Sequence, residues 1–365
     1  MTELTVRELR EEVIRLGPWH MDVEITPEVS TSAFLEAPPG IYPDEFEGTP
    51  FHSPHDGFLR RLRRIFPDGL QDRTVLDCAS NCGAYLFFAK EAGAGPCVGF
   101  DVREHWIRQA RFLTEQRRQP TDDMRFEVCD LYDLPGQGLG RFDVTLFSGI
   151  FYHLPDPVRG LSIAAAMTDE ALILNTATKV GMPDGLLVAD WERPTPMVGI
   201  HGLCWLPTGP HVLEQILRWL GFPETRCTVW RHAPRQRAEL DRVEVVAARR
   251  PGFFDAWDAA MPQGLGRMRE VLETRTRPGA TVLVPPETVQ GLELFGRKVL
   301  PLEGWDAATL RKGEAAGAAY LALDAAARAR LAEAPELASN LEVGAQIVAE
   351  DPACRVYFLE RRGRQ

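Results

Sequence analysis

The residues best placed to do chemistry are carboxylates at strand ends beside a turn of small residues. From Thr74 the chain reads Thr74-Val-Leu-Asp77-Cys-Ala-Ser-Asn-Cys-Gly83, then Ala84-Tyr-Leu-Phe-Phe-Ala-Lys90, then Val98-Gly-Phe-Asp101. The pattern predicts strand, tight turn, helix, strand. In an open sheet of this kind ligands sit beyond the carboxyl ends of the strands. Gly83 can take φ > 0 or admit close contact, and the helix after it offers free N–H groups. Asp101 closes the second strand, where a carboxylate can accept both hydroxyls of a ribose. Asp130 ends the third strand, near the place of an adenine ring, and Ser148-Gly149 ends the fourth. A dinucleotide would need G-x-G-x-x-G for its pyrophosphate. Here Ala79 and Asn81 occupy the first two glycine places. A nucleoside held without phosphates needs less bare backbone.

An oxygen nucleophile also needs a base, and imidazole has a suitable pKa. His153, in Ile150-Phe-Tyr-His-Leu-Pro-Asp-Pro157, is the first candidate; capping the following turn is its plain structural alternative. His20, His52, His55 and His201 become alternatives if their loops fold over the pocket. His52-x-x-His55 is too little for a metal site, and no metal is expected. The seven cysteines are scattered without CxxC spacing, which argues against a disulfide framework or a zinc ribbon and fits a reducing cytoplasm. A formal net charge of −11 lowers the expectation of a nucleic-acid partner. The charged amino-terminal stretch lacks an apolar signal core. No uncharged run is long enough to span a membrane.

The elements that must position these residues alternate regularly. An amphipathic helix over 3–16 stops at Gly17-Pro18, a strand-like run covers 19–25, and 26–57 reads as an irregular arm that could be a lid or a surface wrap. A helix over 57–66 turns Phe58, Leu59, Leu62, Ile65 and Phe66 inward and Arg60, Arg61, Arg63 and Arg64 outward, a run that usually marks a solvated face. Strands are expected over 74–79, 97–101, 124–130, 142–148 and 171–176, with helices over 84–94, 104–117 and 157–167. A long loop then holds Trp191 and 194–196. Thr208 should cap a helix over 209–220 that Gly221 ends. Strands over 225–230 and 242–248 read as an antiparallel edge on a parallel sheet. Beyond the boundary at 249–252 come a helical segment over 254–274, strands at 280–285 and 297–301, helices over 306–318 and 324–333 around Tyr320–Leu323, and strands at 344–349 and 354–359.

The turn, Asp101, Asp130 and the aromatic segment after strand four together resemble a class I S-adenosylmethionine-dependent methyltransferase over about residues 70–250. The resemblance implies an α/β, Rossmann-like doubly wound sheet with an N-terminal helical and loop arm. It also implies S-adenosylmethionine as cofactor. Asp77, Ala79, Ser80 and Gly83 would line its methionine part, Asp101 would hold its ribose, Asp130 and Leu131 would flank adenine, and Ser148 would line the pocket floor. More narrowly, Trp19-His20 with Ile25, the Asn81-Cys-Gly turn, Gly149 to Pro157, and Cys204-Trp-Leu-Pro-Thr208 before Gly221-Phe222 are similar to the wobble-uridine tRNA methyltransferase-like family. That family includes tRNA enzymes with a carboxylated cofactor and relatives acting on sugars or secondary metabolites. Val282-Leu-Val-Pro285, Ala319-Tyr-Leu-Ala-Leu323 and Val356-Tyr-Phe-Leu359 resemble an appendage found beside glycan-biosynthesis enzymes. The expected organisation is an arm over 1–56, a cofactor-binding domain over 57–250 and a smaller α/β domain over 251–365. The expected function is methyl transfer to a small biosynthetic acceptor in the cytoplasm, with tRNA modification and non-catalytic cofactor binding as alternatives, and with homo-oligomer formation left open.

Overall fold

The computed structural model describes residues 4–43, 46, 50–117, 121–179, 182, 184–192, 197–231, 240–259, 265–277, 280–289, 292, 294, 297–350 and 354–359. Helix α1 (Val6–Leu16) starts from a reciprocal cap: Thr5 Oγ1 accepts from the Glu8 amide at 3.3 Å, and Glu8 Oε2 accepts from the Thr5 amide at 2.8 Å. It buries Leu9, Val13 and Leu16. The arm that follows is more regular than its Pro and Gly content implies. It holds β1 (Glu24–Thr26) paired with β2 (Val29–Ser30), then a 3₁₀ turn over Thr31–Glu36. Helix α2 (His55–Ile65) buries Phe58, Leu62 and Ile65. Of the four arginines expected to face solvent, Arg61 instead turns to the buried carboxylate of Glu244, at 3.3 Å, and Arg64 lies over the Trp257 ring. Long side chains cover apolar surface in this way while keeping their heads near water or a partner.

The central sheet is built in chain order from β3 (Val75–Cys78), α3 (Ala84–Glu91), β4 (Cys97–Asp101), α4 (Glu104–Gln116), β5 (Met124–Val128), β6 (Phe142–Ser148), α5 (Pro157–Ala166) and β7 (Thr168–Lys179). A hairpin of β8 (Leu187–Trp191) and β9 (Leu203–Pro207), helix α6 (Pro210–Trp219), β10 (Glu224–Arg231) and β11 (Leu240–Ala248) follow. The strand order is β10-β11-β7-β6-β3-β4-β5. β3 pairs in parallel with both β4 and β6, so the order reverses there, at the switch point where ligands bind. Strand β11 is antiparallel to β7 and to β10, so the reversed strand lies inside the sheet and not at its edge. One face packs on α1 to α4 through Phe87, Ile107, Leu113 and Val246; the other packs on α5 and α6 through Leu161, Leu213, Leu217 and Val245.

Two expectations are corrected between β7 and β10. The predicted long loop contains the β8–β9 hairpin, with Leu187 opposite Pro207 and Trp191 opposite Leu203. β8 buries no residue fully and Trp191 is exposed, so no apolar side marked it as a strand; residues 194–196 lie outside the described residues. Thr208 does not cap α6. Its hydroxyl takes the Leu186 amide at 3.1 Å, and both oxygens of Asp184 accept from the His211 amide. A Cβ on Gly209 would stand 2.5 Å from that carboxylate, so only glycine fits the Asp184 cap.

The predicted helix over 254–274 is described as α7 (Asp255–Ala259) and α8 (Leu265–Arg275). Next come β12 (Thr281–Val284), α9 (Pro286–Val289), β13 (Lys298–Pro301), α10 (Ala307–Ala315) and β14 (Ala318–Asp324). Helices α11 (Ala325–Ala332) and α12 (Pro335–Gly344) and strands β15 (Ala345–Glu350) and β16 (Cys354–Leu359) follow. These strands form a second sheet in the order β13-β12-β14-β16-β15. The two sheets are joined through a buried ion pair, Arg275 to Glu214 Oε2 at 2.7 Å, with Thr225 Oγ1 donating to the other oxygen. Among the described residues all seven cysteines are buried, and no helix is long and apolar enough to cross a membrane.

Candidate functional site

The turn after β3 is the best-organised part of the sheet's carboxyl edge. Ala79 (φ 58°), Asn81 (φ 53°) and Gly83 (φ 79°) all lie in the left-handed region. Ala79 and Asn81 therefore carry the backbone conformation of the glycines they replace. Asn visits it with local hydrogen bonding, here Asn81 Oδ1 to the Cys82 amide at 2.8 Å, whereas Ala79 has no such compensation. Gly83 has a second constraint, since a Cβ would meet the Phe126 ring at 2.5 Å.

Asp101 closes the turn from the neighbouring strand. Its carboxylate accepts the Asn81 amide at 3.1 Å and the Arg103 amide at 3.0 Å. Burial raises its pKa, and those amides oppose the rise. Asp77 is buried more deeply, and burial together with the Asp101 charge pushes its carboxyl well above the usual range. Asp77 Oδ2 and Ser80 Oγ are buried without a hydrogen-bond partner. Buried polar atoms are rarely left so, and such orphans point to a missing ligand. A positively charged ligand group at Asp77 would also offset the burial that now favours its neutral form. The donor set, the orphaned oxygens and the tight backbone fit an S-adenosyl group.

The other expected cofactor residues border the same edge. Asp130 lies beyond the end of β5, where it caps a 3₁₀ turn over Leu131–Gln137 by accepting from the Tyr132 amide at 2.9 Å. Leu131 is buried behind it, and His201 Nε2 stands 3.6 Å from Asp130 Oδ2. Ser148 ends β6 and lines a cavity of about 20 Å³ with Tyr85, Asn175, Arg61 and Glu244.

His153 is not free-standing. Its Nδ1 lies 2.6 Å from Glu192 Oε1, and Glu192 Oε2 accepts from the Gly199 amide at 3.0 Å. A carboxylate at Nδ1 takes the hydrogen bond there and leaves Nε2 as the ring's acceptor. Gly199 packs so closely that a Cβ would meet the His153 carbonyl at 2.2 Å. The neighbouring Val198 carbonyl accepts from Arg103 at 2.6 Å, so the hairpin connection reaches across from His153 to the Asp101 corner. Of the alternative histidines, His55 binds Glu91 and Asp56 away from the turn. His20 and His52 are brought together by the arm, with ring centroids 5.0 Å apart. Among the described residues no group of His, Cys, Asp and Glu is arranged to hold a metal.

Sequence reasoning missed Glu192, Tyr152, Asn175 and Arg242. Arg242 donates to Asn175 Oδ1 at 3.1 Å and to Tyr152 Oη at 3.2 Å. A signal for Arg242 existed: it and Glu244 occupy the same alternating face of β11 as the buried Val246 and Ala248. Charges on an inward strand face mark a site more often than a core.

Comparison with known proteins agrees with this geometry. Residues 71–198 match the Methyltransferase domain family. A tRNA U34 carboxymethyltransferase of Ectopseudomonas mendocina (strain ymp) is 29% identical over 170 residues, covering 46% of this chain and 50% of that protein. Another, from Campylobacter hominis, is 33% identical over 120 residues, covering 33% of this chain and 40% of that one. The chain thus spans half the length or less of these curated relatives. The crystallised N-terminal domain of EvdMO1, solved in the presence of SAH and D-fucose, matches with a TM-score of 0.51 and 23% identity over 68% of this chain and 98% of that one, a likeness of fold. Strand order, the turn with its carboxylates and the family match converge: this chain is built on a class I S-adenosylmethionine-dependent methyltransferase domain.

Proposed function

We propose that the protein transfers the methyl group of S-adenosylmethionine to a hydroxyl of a small acceptor, a sugar or natural-product scaffold. The observation that carries the reading is the turn 77–83, with its left-handed residues, its orphaned Asp77 and Ser80 oxygens and its tie to Asp101. Asp77, Ala79, Ser80 and Gly83 bind the amino-acid part of the cofactor, Asp101 the ribose, Asp130 and Leu131 the adenine, and Ser148 borders the methyl end. The bound sulfonium supplies an electrophilic methyl group. The protein's part is orientation of the acceptor oxygen in line with it, which supplies much of the rate. His153, held by Glu192, takes the hydroxyl proton at Nε2.

The names of the curated relatives favour a second reading, transfer to a wobble uridine of tRNA. Two features weigh against it. The chain carries a formal charge of −11, and the Arg60–Arg64 run that would supply a basic face gives up Arg61 to Glu244 and Arg64 to Trp257. The crystal of the EvdMO1 domain contained D-fucose, so deoxysugars belong in the acceptor panel. The test is incubation with methyl-labelled cofactor, a sugar and natural-product panel, and bulk tRNA, read by mass spectrometry. Label in a sugar-class hydroxyl supports the proposal. Label in tRNA alone establishes the second reading, and cofactor binding without transfer to anything establishes a non-catalytic role.

A further inference from the structure

We propose that His20 and His52, carried by the N-terminal arm, form with Arg242 and Tyr152 an acceptor subsite that selects a neutral, hydroxyl-rich ligand. The inference rests on the methyltransferase reading above and names the acceptor side of that site.

Placement comes first. The Met21 backbone hydrogen-bonds the Cys82 thiol, so the arm packs directly on the cofactor turn. Met21 pairs with His52 in a parallel bridge, His52 N–H donates to the His20 carbonyl at 3.0 Å, and Asp22 N–H donates to the His52 carbonyl at 2.7 Å. Both imidazoles are therefore positioned by backbone pairing. His20 Nδ1 donates to the Pro50 carbonyl at 2.6 Å, which leaves Nε2 as an acceptor. The His52 ring, which is only partly buried, makes no hydrogen bond to another described residue. Arg242, on β11, is near enough for its charge to bear on both rings. It is itself aimed by Asn175 and Tyr152, and the Tyr152 ring lies tilted against His153, with centroids 4.0 Å apart. The His20–His52 pair of the arm and the Arg242–Tyr152 pair, which joins β11 to the segment after β6, are thus the two halves of the subsite we infer.

The chemistry of those two halves decides the ligand class. Burial lowers the His20 pKa to about 4, and burial followed by Arg242 lowers that of His52. Both rings are neutral at pH 7; His20, its donor taken by Pro50, offers an acceptor, and His52 offers one donor and one acceptor. A hydroxyl requires that combination. A cationic acceptor would be repelled by Arg242. An anionic one would meet a guanidinium already engaged by Asn175 and Tyr152, with the Glu244 carboxylate one step along the same strand face. Vicinal hydroxyls of a sugar match two neutral imidazoles flanked by a phenol and a guanidinium.

The test is carbethoxylation by diethyl pyrocarbonate of the full chain saturated with S-adenosylhomocysteine, read residue by residue by mass spectrometry. Free hexoses and 6-deoxyhexoses are the probes, with hexuronates, glucosamine and bulk tRNA as comparators. At least tenfold slower modification of His52 is expected with a neutral sugar, with the remote His211 unchanged. No protection by any neutral sugar overturns the proposal, as does equal protection by a hexuronate or protection by tRNA alone. His52→Gln provides the second arm. It should reduce saturation-transfer NMR signal from the protecting sugar at least fivefold and raise KM for the acceptor, while homocysteine-cofactor affinity stays within twofold. An unchanged sugar signal in that variant refutes the subsite. Failure of cofactor binding or methyl transfer in the wild type would instead count against the underlying reading, so the two failures are distinguishable.

Discussion

Gly83→Ala tests the cofactor turn with a single methyl group. Two costs can be worked from the structure. The residue sits at φ 79°, where a non-glycine residue loses about 1–2 kcal/mol. Its new Cβ would also stand 2.5 Å from Cε1 and Cζ of Phe126, a buried ring that cannot swing into solvent. Overpacking of this kind costs about 1–3 kcal/mol. The sum, about 2–5 kcal/mol, is a large part of a typical domain's stability but leaves it folded. Gly138→Ala is the internal control, because Gly138 has φ 64° with nothing within 4 Å of its Cβ position. It should show the backbone term alone. Urea denaturation and isothermal titration with S-adenosylhomocysteine read both quantities. Gly83→Ala should lose about 1–3 kcal/mol more stability than the control. Cofactor affinity should fall at least about 100-fold, or ~2.7 kcal/mol, if the displaced turn is the binding surface. Equal destabilisation in the two variants, with affinity in Gly83→Ala within twofold of wild type, would refute the assignment of this turn.

Four other perturbations follow from the same geometry. Asp101→Asn leaves one acceptor for two backbone amides and weakens the ribose contact, so cofactor affinity should fall about 30- to 1,000-fold by titration. Glu192→Gln should lower kcat about 10- to 100-fold, consistent with loss of general-base efficiency, with cofactor affinity unchanged by titration. Arg275→Ala leaves Glu214 buried without its counter-charge and should cost about 3–5 kcal/mol by urea denaturation. His20 has its folded pKa lowered from 6.5 to about 4, so between those values the unfolded chain binds the extra proton. Its contribution is fully present above pH 6.5 and is lost as pH falls to 4. Comparing urea curves at pH 7 and 4, His20→Asn should therefore lose up to about 3 kcal/mol less than wild type.

The alternation of the central sheet was legible because strands buried on both faces read as apolar runs, as in Val75–Cys78 and Phe142–Ser148. The turn was legible from its small residues, although the left-handed backbone at Ala79 was not, because a Cβ without a local hydrogen bond argues against it. What stayed hidden depends on contacts distant in sequence. Glu192 reaches His153 from just beyond β8, a strand that buries no residue fully, and Asp184 caps α6 in place of the adjacent Thr208. Arg61 read as part of a solvated run because its partner Glu244 lies far along the chain. Helix α12 was also missed; it buries only Leu337 and Leu341, too short a stripe to stand out in an Ala-rich stretch.

The central claim is that the edge formed by Asp77–Gly83 and Asp101 holds an S-adenosyl group and not a dinucleotide. A competition titration of the wild-type chain tests it most directly. S-adenosylhomocysteine should bind one site per chain, be displaced by S-adenosylmethionine and be unaffected by excess NAD. Binding of NAD at that site, or no binding of either S-adenosyl compound to the folded protein, would contradict the account.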